Sequence, residues 1–329
     1  MSHKNMNQKL SQAFFFSSIV ILFLTIIFCL MIGPLGISKL SLSSSYFPIF
    51  NYRIGRIILA IIAGSSLAVS GTSLQALFRN PLADPHLFGI SGGAALGAAL
   101  SIAFSSNGSW IAPSIGAIIG GLMAFLLIFF YLEKSSTQSL THCLLVGVLI
   151  NSLAAAIISF LKTILPPIKT QGIFYWMIGH ISPVENSHFL FIIPIWILAL
   201  SILMNMRGEM EILSFGRIET SILGINVNSV VRRSIIANSL LIGNVVAFTG
   251  MIGFLGLMIP HFIRLFIFPD LRFVMPMSAL IGAIVLLFFD GLSRLSFFIW
   301  QTEIPVGALC AFFLSPLFFL MLTRGFNER

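Results

Sequence analysis

Charge is what this sequence has least of. Only 9% of its 329 residues are Asp, Glu, Lys or Arg, 57% are hydrophobic, and the mean hydropathy is +1.03. A soluble domain carries about 25% charged residues. A soluble fold is therefore excluded, and the composition is that of a polytopic membrane protein. The formal net charge of +8 does not mark a nucleic-acid partner. Basic residues stand singly or in pairs between apolar stretches, not in runs of about five or six, and such positions are where orientation signals lie. Cysteine is also scarce. Cys29, Cys143 and Cys310 fall in or beside apolar stretches and form no CxxC. They imply neither a disulfide framework nor a zinc site and are expected to be small buried hydrophobes.

Motifs of chemistry are missing too. The sequence contains no GxxxxGK[ST] and no Gly-Lys pair, so it holds no ATP through a phosphate-binding loop. It has no HExxH and no Ser-His-Asp pattern, and His142, His180 and His261 are scattered. No cofactor, no metal and no bond-making chemistry are expected of this chain. Its apolar segments are nearly free of ionisable groups. Asp290 is the deepest, with Arg294 one helical turn on and expected to pair with it. A proton- or sodium-coupled carrier usually places carboxylates or histidines in mid-span. Energy for transport would then come from a partner. A secondary carrier using Asp290, and a non-transporting scaffold or receptor, stand as rivals.

What is abundant is apolar length. A helical span takes about 20 residues. Spans are expected near 13–33, 56–78, 87–104, 111–132, 141–161, 188–206, 234–250, 252–268, 273–294 and 304–323. The first is too long for a signal peptide, whose apolar core has about 7–15 residues. Residues 234–268 fit two short spans hinged at Thr249-Gly-Met-Ile-Gly253, or one long one. Charge separates these. Ten spans with the N-terminus inside place 12 basic residues inside and 6 outside, whereas nine give 9 against 9. Basic residues concentrate on the cytoplasmic side, which favours ten spans and both termini inside. Arg53, Gly64, Ala68, Gly71 and Pro81 recur at an offset of 179 as Arg232, Gly243, Ala247, Gly250 and Pro260. The second and seventh spans are an odd number apart, so this repeat would be inverted, a known transporter device.

Three polar features remain. Arg53 and Arg56 open the second span and Arg294 ends the ninth, all on the side where basic residues are depleted. Headgroup snorkelling is one reading; a docking site for acidic groups of an external partner is the other. The polar stretch 207–233 lies on the inner side, and Ile212, Phe215, Ile218, Ile222 and Ile225 recur at helical spacing. The spacing predicts a short amphipathic helix, about 213–227, with Ser214 as a cap and Gly216 and Gly224 bracketing it. A helix lying on the lipid surface is the alternative. Gly89, Gly93 and Gly97, with Gly116 and Gly120, predict close helix packing. Glu303 and Pro305 suit the start of the last helix.

Together these residues resemble the FecCD family, the permease subunits of ABC importers for ferric siderophores, haem and cobalamin. The resemblance covers Arg53-x-x-Arg56, Gly64 to Gly71, Gln75 with Asn80-Pro-Leu-Ala-Asp-Pro85, and Gly89-x-Ser-x-Gly-Ala94. It continues through Tyr175-Trp-Met-x-Gly179, Gly216 with Leu223-Gly224, and Gly253-Phe-Leu-Gly-Leu-Met-Ile-Pro-His261 with Arg264. Asp290 with Arg294 and Glu303-x-Pro-Val-Gly307 complete it. The resemblance implies an all-α, single-domain permease of the type II ABC importer fold spanning 1–329 in the bacterial inner membrane. It implies a homodimer or close heterodimer, two cytoplasmic ATPase subunits and an extracytoplasmic substrate-binding protein. Docking is expected at Arg53, Arg56 and Arg294. ATPase coupling is expected at Leu213, Gly216, Arg217, Glu219, Leu223 and Gly224. Pathway or gate positions are expected at Gln75, Asn80, Pro81, Ser139, Thr141, Pro260 and His261. The expected cargo is an iron compound, with cobalamin as the alternative. Three positions depart from the family pattern: Gly55 stands where Pro is usual, Arg217 where an acid is usual, and Ser315 where Gly is favoured.

Overall fold

Each long apolar stretch becomes a helix because hydrocarbon offers no partner for backbone amides, which must bond within their own segment. The computed structural model describes residues 3–33, 36–37, 47–105, 111–134, 140–182, 184–266 and 269–327. Among these are twelve α-helices: α1 His3–Met31, α2 Phe47–Phe78, α3 Ile90–Phe104, α4 Ile111–Lys134, α5 Leu140–Ile164, α6 Pro167–Ile178, α7 Asn186–Phe215, α8 Arg217–Ile222, α9 Val227–Thr249, α10 Leu255–Phe266, α11 Leu271–Trp300 and α12 Val306–Asn327. A two-residue antiparallel pairing, Ile32–Gly33 with Gly36–Ile37, follows α1.

Ten of these helices coincide with the ten expected spans. Seven are long and apolar enough to cross a bilayer, and α3, α10 and the apolar part of α12 are shorter. The remaining two are α6 and α8. No span was expected at α6, which starts at Pro167, where a missing N–H costs nothing. Lys169 Nζ ties it to the end of α3 by donating to the Ala103 carbonyl at 2.6 Å.

Helix α2 is the axle. Its apolar stretch is 89% buried, against 17% for that of α1, and both apolar clusters of the core include its side chains. Small residues let neighbours close on it. A Cβ at Gly64 would strike the Gly282 carbonyl of α11, and one at Gly71 would strike the Gly256 backbone of α10. Hydroxyls on α2 then bond across the contacts: Thr72 Oγ1 donates to Ser278 Oγ (2.9 Å), and Ser73 and Ser65 accept from Asn238 Nδ2 (2.7 Å) and Trp196 Nε1 (3.1 Å). Close backbones and interhelical hydrogen bonds are what associates helices in lipid, where apolar burial supplies no drive. The expected glycine packing is present as well, since a Cβ at Gly97 would strike the Gly116 carbonyl across α3 and α4.

The doubtful stretch 234–268 is two helices. Helix α9 stops at Gly250, whose φ of +67° suits glycine, and α10 begins at Leu255. Twelve residues of α10 span about 18 Å, so the backbone of 250–254 covers part of the depth without helix. A second irregular stretch, 79–89, leads from α2 through a 3-10 turn, Pro85–Phe88, into α3. Irregular backbone at membrane depth is tolerated only where protein or water satisfies it. Here the two stretches satisfy each other: His86 Nε2 bonds the Ile252 carbonyl at 2.6 Å, and Asn151 Nδ2 of α5 donates to the His86 carbonyl at 2.8 Å. The offset-179 repeat pairs α2 with α9, but the partners diverge at Gly71 and Gly250. Gly71 lies inside α2, and Gly250 ends α9.

The amphipathic helix expected over 213–227 is instead divided. Helix α7 runs on to Phe215, Gly216 breaks it, α8 holds six residues, and α9 begins at Val227. Met206, Met210 and Leu213 are buried, so packing carries α7 past the polar residues that suggested an earlier end. Ser214 is no cap. Its hydroxyl donates to the Glu211 carbonyl one turn back, and Asn226 caps α9 by accepting from Ser229 N at 3.1 Å.

Candidate functional site

The polar groups gather at the two ends of the bundle. At one end, α2 delivers Arg53 and Arg56, α11 delivers Asp290 and Arg294, and the α11–α12 turn delivers Glu303. Arg56 Nε meets Asp290 Oδ1 at 2.7 Å, and Arg56 Nη2 meets Glu303 Oε2 at 2.8 Å. Asp290 Oδ2 meets Arg294 Nη2 at 2.9 Å, the pairing expected from their spacing. Arg294 Nη1 also donates to the carbonyls of Cys29 (2.8 Å) and Ile32 (3.2 Å), where α1 ends. Arg53 Nη1 donates to the Leu30 carbonyl at 2.8 Å. Arg56 and Arg294 with Asp290 and Glu303 thus form a charge-balanced, largely buried cluster tying α1, α2 and α11 together, with Arg53 as a third guanidinium at the same end. Buried charges persist when paired with opposite charge in this way.

This geometry corrects one expectation. Three arginines were expected to face an outside partner, but the Arg294 side chain is only 2% exposed and lies inside the fold. Arg56 is buried too, while Arg53 is half-buried and Glu303 is the most open member. Glu303 was expected only to favour a helix start; its pairing with Arg56 comes from the fold. Ser293 and Ser296 hold it in place. Ser293 Oγ donates to the Ile304 carbonyl (2.6 Å), and Ser296 Oγ accepts from Ile304 N (2.9 Å).

At the opposite end, Gln75, Arg79, Asn80, Pro81, Glu211 and Arg264 border one cleft. Gln75 is buried and bridges helices. Its Oε1 accepts from Arg264 Nη1 of α10, and its Nε2 donates to the carbonyls of Gly256 and Leu257. Asn80 Oδ1 accepts from Leu82 N at 2.9 Å and shapes the turn after α2. Three expected gate residues, Gln75, Asn80 and Pro81, therefore converge. Pro260 is buried within α10, and His261 packs edge-on against Phe318 of α12 (5.4 Å between centroids), away from that cleft. Ser139 lies outside the described residues, and Thr141 is placed only as part of the α5 backbone. Arg264 entered the sequence reading only among the residues of the resemblance, and Glu211 was given no role; the chain separation of their partners hides their contacts.

Beside the cleft, α8 projects an apolar knob. Phe215, Ile218, Ile222 and Leu223 are each more than 60% exposed. The segment is held from within: Thr220 is buried and donates to the Gly216 carbonyl, and Ile225 N donates to the Thr220 carbonyl at 3.2 Å. Leu213 and Gly216 are buried, Arg217 is half-buried, and Glu219, Leu223 and Gly224 are exposed. Gly224 has φ +76° and ends the turn.

Comparison with known proteins places this architecture. The hemin transport system permease protein HmuU of Yersinia pestis is 35% identical over 289 residues, 85% of this chain and 84% of its own. The vitamin B12 import system permease protein BtuC of Vibrio cholerae is 31% identical over 311 residues, 93% of each chain. The molybdate import system permease protein MolB of Haemophilus influenzae is 31% identical over 285 residues, 85% of this chain and 83% of its own. A solved structure described as an inward-facing conformation of a metal-chelate type ABC transporter superposes with a TM-score of 0.82 at 28% identity, covering 94% of this chain and 98% of that one. Residues 15–324 match the FecCD transport family, and the chain belongs to that family.

Proposed function

We propose that this FecCD-family permease is the membrane subunit of a binding-protein-dependent importer and carries an iron compound, haem or a ferric siderophore, across the bacterial inner membrane. Separate ATPase subunits supply the energy. Two copies, or one copy and a close relative, enclose the pathway. The whole chain acts as one membrane domain, with both termini in the cytoplasm. The carrying observation is the division of the bundle into two unlike polar ends. The arginine cluster lies at the end expected outside, and the apolar knob of α8 lies at the end expected inside. An exposed apolar knob in water suits insertion into a protein groove. That end therefore receives the ATPase, through α8 and the flanking residues Leu213, Gly216, Arg217, Glu219, Leu223 and Gly224.

The outer end receives the binding protein. Arg53 and the open edge of Arg56 face its acidic groups, and Arg294 supports them from inside through Asp290. Gln75, Asn80 and Pro81 border the inner mouth of the pathway, with Ser139, Thr141, Pro260 and His261 as further pathway positions. The haem permease relative, at 35% identity, favours an iron compound. The vitamin B12 and molybdate relatives support a second reading, in which a cobalamin or an oxyanion is the cargo.

Reconstitution of the chain with its ATPase and binding protein in proteoliposomes tests this. ATP-dependent uptake of haem or a ferric siderophore is expected. ATP-dependent uptake of cobalamin or molybdate instead would replace the cargo, and uptake driven by a proton gradient without the ATPase would overturn the reading. Charge reversal of Arg53 and Arg56 should weaken docking, and wild-type uptake in that double variant would remove the docking role.

A further inference from the structure

The segment facing the ATPase has to move something, and the structure offers a direct polar tie. Helix α7 ends at Phe215, and α8 follows one residue later. Five residues before Gly216, Glu211 Oε2 accepts the backbone N–H of Leu271, the first residue of α11. The neighbouring N–H, of Arg272, is taken locally by Asp270 Oδ1 at 2.8 Å. Opening N–H groups of a helix have no partner within it. A carboxylate placed there makes a charge-assisted bond and meets the positive end of the helix dipole. The contact continues back along α7, since a Cβ added at Gly208 would lie 3.8 Å from the Arg272 guanidinium.

What Glu211 holds is the foot of a long lever. Helix α11 runs from Leu271 to Trp300, with Pro276 removing one backbone hydrogen bond in its second turn but not ending it. Asp290 stands 19 residues above Leu271, about 28 Å along the axis, and is paired there with Arg56 and Arg294. One continuous helix therefore joins the α7–α8 end to the arginine cluster, and its lower end is fastened by a side chain of α7. Two other side-chain ties near the end of α7 lead elsewhere or stay local. Glu209 pairs with Arg233 of α9 at 2.7 Å, and Ser214 bonds within α7.

We propose that Glu211 is a positioning residue that makes α8 and the foot of α11 move together, so that displacement at the ATPase-facing end reaches the arginine cluster through α11. The inference rests on the coupling role of α8 proposed above. Its test uses the complete transporter in proteoliposomes, measuring ATP hydrolysed and substrate taken up in the same sample. Glu211→Ala removes the acceptor. Glu211→Gln keeps an acceptor oxygen without the charge. In Glu211→Ala, the ATP spent per substrate imported should rise about tenfold, within the roughly 5–150-fold range of a typical coupling between sites. Glu211→Gln should rise less than about threefold on the same scale. An unchanged ratio in Glu211→Ala overturns the proposal.

If Glu211→Ala does not assemble, spin labels at Ser221 and Arg272 of the otherwise native chain, diluted with unlabelled chain, read the tie directly. Their separation should stay the same between nucleotide-free and ATP-trapped states, and a change overturns the proposal. Failure of the underlying reading looks different. If Ile218→Asp with Ile222→Asp leaves ATPase co-purification and uptake at wild-type levels, α8 is not the coupling element, whatever Glu211 does.

Discussion

Arg56 and Asp290 are 234 residues apart in sequence and 2.7 Å apart in the fold, where they form an ion pair between α2 and α11. Asp290 is fully buried and holds Arg294 with its other oxygen. Removing one partner of a buried pair leaves uncompensated charge and costs about 3–5 kcal/mol. Asp290→Ala leaves two guanidiniums without that carboxylate, so its thermal unfolding midpoint in detergent should fall sharply. Replacing Arg56, Asp290 and Arg294 together with apolar residues should restore much of the loss. Equal midpoints for Asp290→Ala and the wild type would show that the cluster contributes no net stability. The same pairing argues against Asp290 as the proton site of a secondary carrier, because both of its oxygens are engaged by cations.

How much of this was legible in the sequence follows from the range of each interaction. Apolar length is a local property, and the ten spans could be read from it. The pairing of Asp290 with Arg294 was also legible, because one helical turn separates them. The same carboxylate's bond to Arg56 was not, since nothing in a one-dimensional pattern brings residues 56 and 290 together. Helix α6 was hidden by its shortness and by the polar residues around it. Gly216 and Gly224 do bracket α8, but the end of α7 was placed too early because packing of Met210 and Leu213 extends it through residues whose polarity suggested a loop. Likewise, Arg294 looked like a surface arginine from its place at the end of a span. Only the fold shows it bonded to the carbonyls that end α1.

Glycine substitutions should separate packing from turn geometry. At Gly71, any Cβ would strike the Gly256 backbone where α2 and α10 cross. Backbone cannot swing aside as a side chain can, and overpacking costs about 1–3 kcal/mol or more. Gly71→Val should therefore sharply reduce the yield of folded, monodisperse protein in detergent. Gly224 has φ +76° but nothing within 4 Å of an added Cβ. Gly224→Ala should cost only the left-handed backbone term, about 1–2 kcal/mol, and leave folded yield near wild type. A reversed order of yields would contradict the crossing geometry.

All three cysteines are buried, with at most 1% exposed, and Cys29 Sγ donates to the Leu287 carbonyl at 3.2 Å. Burial excludes reagent, and buried structural thiols are inert. A maleimide added to the folded protein should label none of them, whereas all three should react after denaturation in dodecyl sulfate. Labelling of Cys143 in the native protein would place α5 differently from its packing in the core.

Glu303 occupies the open edge of Arg56 at 2.8 Å, where an acidic group of a docking partner would have to bind. Its side chain is 35% exposed against 10% for Arg56, so water screens the pair from the Glu303 side and it is worth about 1 kcal/mol. Glu303→Gln should therefore barely move the unfolding midpoint, because Asp290 still holds Arg56 from within. It should strengthen binding of the substrate-loaded binding protein by up to about fivefold, the equivalent of about 1 kcal/mol. Surface binding measurements with the purified permease complex at low and high salt would check this, and the gain should shrink as salt screens the attraction between the docking surfaces. Weaker binding in Glu303→Gln would mean that Glu303 itself contacts the partner. The docking surface would then be centred on the α11–α12 turn and not on α2.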